Sequence, residues 1–241
     1  MMNLIVSEVS KCFNNKKVLK NVNLKLSSNH VHLLLGENGA GKSTLTKIID
    51  GELKADTGFI LLERNGKKIE NIECAIQYQQ FNAFPYLKIK EIVEFFKENT
   101  SDFAFDTDLY NLLDMKQFEN TLMKNASGGM KKALSIFIAL SLNKPLVILD
   151  EPFADLDLKK KRDLSVYLKD YAARNEKVIL IISHEVNEFE MLFDTISILD
   201  EGVIKESDLS NNLLERYNIQ SGFKFEDLFY AITGKRLVLN K

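Results

Sequence analysis

The sequence predicts an α/β fold: a mostly parallel sheet covered by helices, preceded by a small antiparallel β layer and carrying an inserted helical subdomain. Three observations lead there. Short apolar runs at residues 31–35, 146–149, 178–182 and 195–199 have the length and unbroken apolarity of strands buried on both faces. Helical spacing of apolar residues fills the segments between the last three runs, from 158 to about 173 and over 186–193, and a strand–helix alternation of this kind gives parallel pairing. The first run leads directly into Gly36-Glu37-Asn38-Gly39-Ala40-Gly41-Lys42-Ser43-Thr44, a full match to G-x-x-x-x-G-K-[ST].

That stretch is followed by Leu45, Ile48 and Ile49 at helical spacing, so it sits between a strand and a helix. This setting makes it a P-loop, the phosphate site of a nucleoside triphosphatase. Its glycines permit a tight turn whose N–H groups converge on phosphates. The helix N-terminus adds a positive dipole end. Lys42 is expected to reach the β- and γ-phosphates of a nucleoside triphosphate, and the Ser43 hydroxyl to ligate Mg2+.

Composition narrows the field. The 241 residues suffice for one large α/β domain or two small ones, with 45% hydrophobic and 27% charged residues. A net charge of −2 gives no sign of a nucleic-acid or anionic-membrane surface. Cys12 and Cys74 stand alone, with no C-x-x-C spacing, which argues against a disulfide framework or a zinc site and fits a reducing cytosol. Residues 1–10 lack the features of a signal peptide, and no apolar run approaches the ~18–20 residues of a membrane span.

In chain order, residues 4–9 read as a strand, and Val22, Leu24 and Leu26 alternate with polar residues as a second. Between them lies Phe13, followed by Asn14-Asn15-Lys16-Lys17 as a turn. After the first helix, Asp56-Thr57-Gly58 is turn chemistry, and 59–62 and 75–78 read as strands. From Lys88 to about Met123 the pattern is helical, through Ile89, Ile92, Val93 and Phe96, then Leu109, Leu112 and Leu113. A helical subdomain is therefore placed at about 85–135, inserted in a core of 1–205. A helix over 128–142 restores the alternation, and residues 206–241 form a helical extension.

Leu146-Val147-Ile148-Leu149 ends in Asp150 and Glu151. A buried strand with acids at its C-terminal end delivers them to the crevice where ligands bind in open α/β sheets. Asp150 is expected to hold the Mg2+, and Glu151 to orient or deprotonate an attacking water. Acids that merely cap a strand are the plainer alternative, weakened by the phosphate loop. Ile181-Ile182-Ser183-His184 is another apolar strand with a polar end, from which His184 reaches the γ-phosphate and Glu151. His30 and His32 are taken as structural.

Ala126-Ser127-Gly128-Gly129-Met130 resembles the LSGGQ signature of ATP-binding-cassette (ABC) ATPases, and the chain from about residue 3 to 205 follows that family's order. Ser127, Gly128 and Gly129 at a helix start make a second phosphate cradle. In the family this cradle faces the γ-phosphate held by another subunit's loop, so the resemblance implies a second ABC ATPase chain, identical or a close paralogue. It further implies that Phe13 stacks on adenine, where Tyr is commoner. Gln79, six residues before Pro85, takes the Q-loop place beside Mg2+ and the water, with Gln80 as a one-residue shift and Gln77 a weaker alternative. Ala154-Asp155-Leu156-Asp157 resembles the D-loop. Three departures stand out: Ala126 for Leu, Met130 for Gln, and Ala133 where a basic residue is usual, which predicts a slower half-site.

The segment Phe225-Glu226-Asp227-Leu228-Phe229-Tyr230-Ala231-Ile232-Thr233-Gly234 resembles the ending of ATPases that drive type-2 ABC exporters, and Phe225, Leu228, Phe229 and Ile232 form one apolar helical face. The resemblance implies an ATPase on the inner face of the membrane, joined to an integral membrane permease whose docking groove lies between core and helical insertion. Phe81, Phe84, Pro85 and Tyr86 then have two readings, the groove's floor as an exposed patch for a partner helix, or an internal hinge. A cytosolic assembly ATPase of the iron–sulfur type is the alternative without a membrane partner. DNA-repair relatives need long coiled coils between the two phosphate-binding motifs, and none is present.

Overall fold

The computed structural model describes residues 1–69, 71–78, 81, 83–184, 192–219 and 225–237. β1 (Met2–Phe13) and β2 (Lys16–Ser27) form an antiparallel hairpin with Leu4 opposite Leu26 and Val6 opposite Leu24. Asn14 and Asn15, both at positive φ, close it, as the twist of a two-residue hairpin requires. The chain then enters a second sheet as β3 (His30–Leu35), passes the phosphate loop and forms α1 (Lys42–Ile49). It returns to the first sheet as β4 (Thr57–Arg64) and β5 (Lys67–Ile69), giving the order β2-β1-β4-β5. The expected antiparallel layer is therefore larger than the two N-terminal strands.

β6 (Cys74–Gln77) rejoins the second sheet. The helical insertion follows as α2 (Ile89–Asn99), α3 (Thr107–Leu112), α4 (Met115–Phe118) and a 3-10 turn at Met123–Asn125. Asp106 caps α3 by accepting from the Leu109 amide at 2.9 Å, which starts a helix where the apolar spacing resumes. Next come α5 (Gly128–Ser141), β7 (Leu146–Asp150), α6 (Leu158–Asn175), β8 (Val178–Ser183), β9 (Thr195–Asp200) and β10 (Val203–Leu209). The helix expected over 186–193 falls largely outside the described residues.

The second sheet runs β10-β9-β3-β8-β7-β6, parallel from β6 to β9, with β10 antiparallel at one edge. Alternation splits its apolar runs between two cores. Val31, Leu33, Leu35, Val147, Leu149, Ile179 and Ile181 face α5, α6 and the helical insertion. Leu34, Ile148, Leu180 and Ile182 face α1 and the antiparallel sheet. Both faces are covered, which is why these strands carry no polar alternation. Phe137 of α5 is fully buried in the first core; truncating such a ring costs about 3–5 kcal/mol.

The chain continues through α7 (Ser210–Arg216) and α8 (Phe225–Thr233). Phe225, Leu228 and Phe229 are fully buried, and Ile232 packs half-buried at the margin of the same core. The Phe225 ring meets Phe193 edge to face at 5.6 Å. Beyond α8, Lys235 donates to Asp200 Oδ1 at 2.9 Å and to Glu201 Oε1 at 2.7 Å, fastening this segment to the β9–β10 turn.

Candidate active site

The ends of β3, β7 and β8 lie side by side and deliver three groups of residues to one cleft of about 220 Å³. The loop after β3 contributes Glu37, Asn38, Gly39, Gly41, Lys42, Ser43 and Thr44. The end of β7 contributes Asp150 and Glu151, and the end of β8 contributes His184. Val18 of β2 closes one side, a residue that carried no signal in the sequence.

Two glycines shape the loop. A Cβ on Gly36 would collide with the carbonyl oxygen of Leu199, so the loop can leave β3 this close to β9 only without a side chain. Gly41 caps α1 at φ 112°, a left-handed conformation that suits glycine, and no side chain caps the helix. The amides of the first turn are thus left for an anion. Lys42 is buried, with Nζ donating to the carbonyls of Gly36 at 2.5 Å and Glu37 at 3.0 Å. Burial depresses its pKa, while Glu151, Asp150 and Glu37 pull it back toward the charged form.

Burial raises the Asp150 pKa, Glu151 adds to that rise, and Lys132 and Lys42 oppose it. Glu151 is held at φ 51°, its amide donating to the carbonyl of Ile182 at 2.9 Å. Its carboxylate is gripped at both oxygens. Ser183 Oγ donates to Oε2 at 2.6 Å, and the His184 amide donates to Oε1 at 2.9 Å. His184 Nδ1 also meets Oε1, so the ring's Nε2 lies on the side away from Glu151.

The signature residues occupy another place. Ser127 caps α5, accepting from the Met130 amide at 3.2 Å. Gly128 and Gly129 pack against Asp155; a Cβ on Gly129 would stand 3.1 Å from the Asp155 carbonyl oxygen, a tight approach, and one on Gly128 would make an ordinary contact with the Asp155 side chain at 3.4 Å. Ser127 and Gly129 line a second cavity of about 230 Å³ with Asp155, Leu156 and Asp157. One chain therefore does not bring the two glycine turns into one cleft. Asp157 caps α6 through the Lys160 amide at 2.9 Å.

Ala133 is buried beside this second cavity, but the preceding Lys132 is also buried and reaches the Asp150 carbonyl at 3.5 Å. Burial lowers its pKa, and Asp150, Asp155 and Glu151 counter that. The sequence did not show that Lys132 points toward the acidic strand.

Phe13 does not line the cleft. It is 44% exposed near the hairpin end, with Lys11 Nζ 5.6 Å from its ring centroid. Gln79 and Gln80 lie outside the described residues, while Gln77 is buried in β6. The two readings of the aromatic segment divide it: Phe84 packs on Phe95 and Phe96 and Phe81 is half-buried, whereas Pro85 is exposed and Tyr86 is 76% exposed. His32 is structural in its contacts, Nε2 donating to the Ser27 carbonyl at 2.7 Å and Nδ1 meeting the Thr195 hydroxyl.

Comparison with known proteins completes the picture. The family model described as ABC transporter matches residues 19–154, more than half of the chain. The spermidine/putrescine import ATP-binding protein PotA of Desulfitobacterium hafniense (strain Y51) is 28% identical over 250 residues, 95% of this chain and 71% of that protein. A probable sulfate/thiosulfate import ATP-binding protein CysA of Chlorella vulgaris is 29% identical over 211 residues, 84% of this chain and 89% of that one. In fold, the ATP binding subunit of an ABC transporter superposes with a TM-score of 0.83 at 22% identity, covering 95% of this chain and 99% of the other. The ATP-binding cassette MJ0796, as a dimer bound to ADP and Pi, superposes with a TM-score of 0.71 at 23% identity, covering 86% and 98%. The chain belongs to the ABC transporter family and is an ATP-binding subunit of it, an ATPase.

Proposed function

We propose that two copies of this chain, or this chain and a close paralogue, close around ATP and that hydrolysis reopens them, driving a separate membrane permease. The reading is carried by one observation: Lys42, Ser43, Asp150, Glu151 and His184 share a cleft from which Ser127 and Gly129 are absent. Each chain holds one half of a complete site, and a second copy supplies the other.

The donor set suits a hard divalent cation. Ser43 and Asp150 offer oxygen ligands at one cleft, beside the cationic Lys42. Mg2+, when bound there, neutralises charge on the transferring phosphoryl group. Lys42 exchanges its carbonyl partners for phosphate oxygens. Glu151 orients or deprotonates the attacking water, and His184 holds Glu151 at Nδ1 while Nε2 addresses the γ-phosphate. Gln79 completes the metal and water contacts, and Phe13 stacks on adenine after the chain end of β1 adjusts toward Val18.

We assign the ATPase core, with its insertion at about 85–135, to 1–209 rather than to 1–205, because β10 (Val203–Leu209) pairs with β9 across the expected boundary, and 210–241 to an extension. Among the described residues no helix is long and apolar enough to cross a membrane, so attachment to the inner face runs through the permease. Tyr86 and Pro85 mark the docking surface. The exporter assignment rests on the 225–234 segment and its buried apolar face. The import ATPases among the relatives favour the opposite direction as a second reading.

Glu151→Gln tests the central claim. MgATP should convert this variant to a stable dimer on size exclusion while turnover disappears. A monomer at saturating MgATP, or turnover at the parental rate, removes the shared-site reading. Co-purification with the permease and transport into or out of loaded vesicles then assigns direction.

A further inference from the structure

We propose that Ser183 is a positioning residue for the reaction, fixing the plane of the Glu151 carboxylate; the inference rests on Glu151 acting on the attacking water. Ser183 is the first polar residue after the apolar run Val178-Ile179-Leu180-Ile181-Ile182, and it is only 1% exposed. A hydroxyl buried to that degree is unfavourable unless it is hydrogen-bonded. Its donation to Glu151 Oε2 at 2.6 Å supplies a charge-assisted bond.

The argument turns on the freedom left to a glutamate. Pairing of β7 with β8, continued by the Glu151 amide on the Ile182 carbonyl, fixes the main chain of Glu151. The terminal torsion of a Glu side chain is nevertheless broad, so one anchored oxygen leaves the carboxylate free to turn. His184 anchors Oε1, through its amide and Nδ1. Ser183 anchors Oε2 from the adjacent residue, and two anchored oxygens define the plane. Each carboxylate oxygen has further acceptor capacity, so the anchoring does not exclude the water. A serine at a strand end thus performs a task that the sequence alone does not show, because it depends on β8 lying beside β7.

The test compares the parent chain, Ser183→Ala and Ser183→Thr, each with and without Glu151→Gln, measuring kcat, KM and MgATP affinity. Ser183→Ala should lower kcat about ten- to a hundredfold, with MgATP affinity unchanged within about twofold. Ser183→Thr, which keeps the hydroxyl, should recover most of that loss. In the Glu151→Gln background, where steady-state turnover is lost, the slow cleavage of bound ATP read in a single-turnover assay should be unchanged by Ser183→Ala, since the oxygen it orients no longer acts as a base. An unaltered kcat in Ser183→Ala, an equal fall in both backgrounds, or a fall accompanied by lost MgATP affinity overturns the proposal. If Glu151→Gln alone keeps full turnover, the fault lies in the Glu151 reading instead. Should Ser183→Ala fail to fold, Ser183→Cys, similar in volume and a weaker donor, carries the same comparison.

Discussion

The Gly202 amide donates to the Ala40 carbonyl at 3.0 Å, joining the β9–β10 turn to the phosphate loop. The Gly202 carbonyl in turn accepts from the Lys20 amide at 2.8 Å, so β2, this turn and the loop brace one another. Gly36 is part of the same contact, facing the Leu199 carbonyl with no space for a methyl group. Gly36→Ala should push the loop from β9, destabilising the fold by about 1–3 kcal/mol in urea unfolding, the usual range for overpacking. Nucleotide titration should show weakened ATP affinity in the same variant. Parental values in both measurements would mean the approach is less tight than described.

His184 holds the carboxylate that Ser183 also holds, and the proposed mechanism gives it a second task at the γ-phosphate. His184→Ala should therefore lower kcat by orders of magnitude, more than Ser183→Ala. The ring is half-buried at a strand end rather than in the core, so folding should hardly change. Thermal unfolding beside steady-state ATPase assays separates the two effects. Full activity in this variant would make His184 a structural residue only.

Lys132, on the helix that starts at Gly128, donates to the carbonyl of Asp150 at 3.5 Å. It stands between α5, whose N-terminus carries Ser127, and the strand that ends in the acids. Lys132→Met keeps the length and removes the charge, and is expected to reduce kcat about tenfold and stability by about 1–3 kcal/mol. Lys132→Arg should retain more of both. Unchanged turnover in Lys132→Met would mean that this charge does not support the acidic strand.

The sequence made the phosphate loop legible because nine adjacent residues carry both its backbone geometry and its chemistry. Asp150 and Glu151 were equally plain, since an apolar strand advertises whatever polar group ends it. β5 and β10 were not: the first is short and lysine-rich, the second an edge strand alternating with polar residues, and neither has an apolar run to announce it. Ser183 and Lys132 escaped for a different reason. Their partners sit on a neighbouring strand or across a helix face, and such neighbours are set by tertiary packing. Phe13 is a motif position whose ring is exposed at the hairpin end and does not line the phosphate cleft.

His32 gives the fold a pH dependence of its own. Burial lowers its pKa to about 4, against the hydrogen bond to Ser27, which favours the charged ring. The unfolded chain takes up the proton near pH 6.5, whereas the folded chain resists it until about pH 4. The stability that neutral His32 contributes is therefore complete above pH 6.5 and is lost as pH falls through that interval. Between pH 6.5 and 5, before most carboxylates titrate, the loss should reach about 2 kcal/mol. Urea midpoints over this window should slope in the parent and flatten in His32→Gln, whose amide can still donate to the Ser27 carbonyl. His30 and His184 are present in both proteins and cancel in the comparison. Parallel slopes would place the acid sensitivity outside His32.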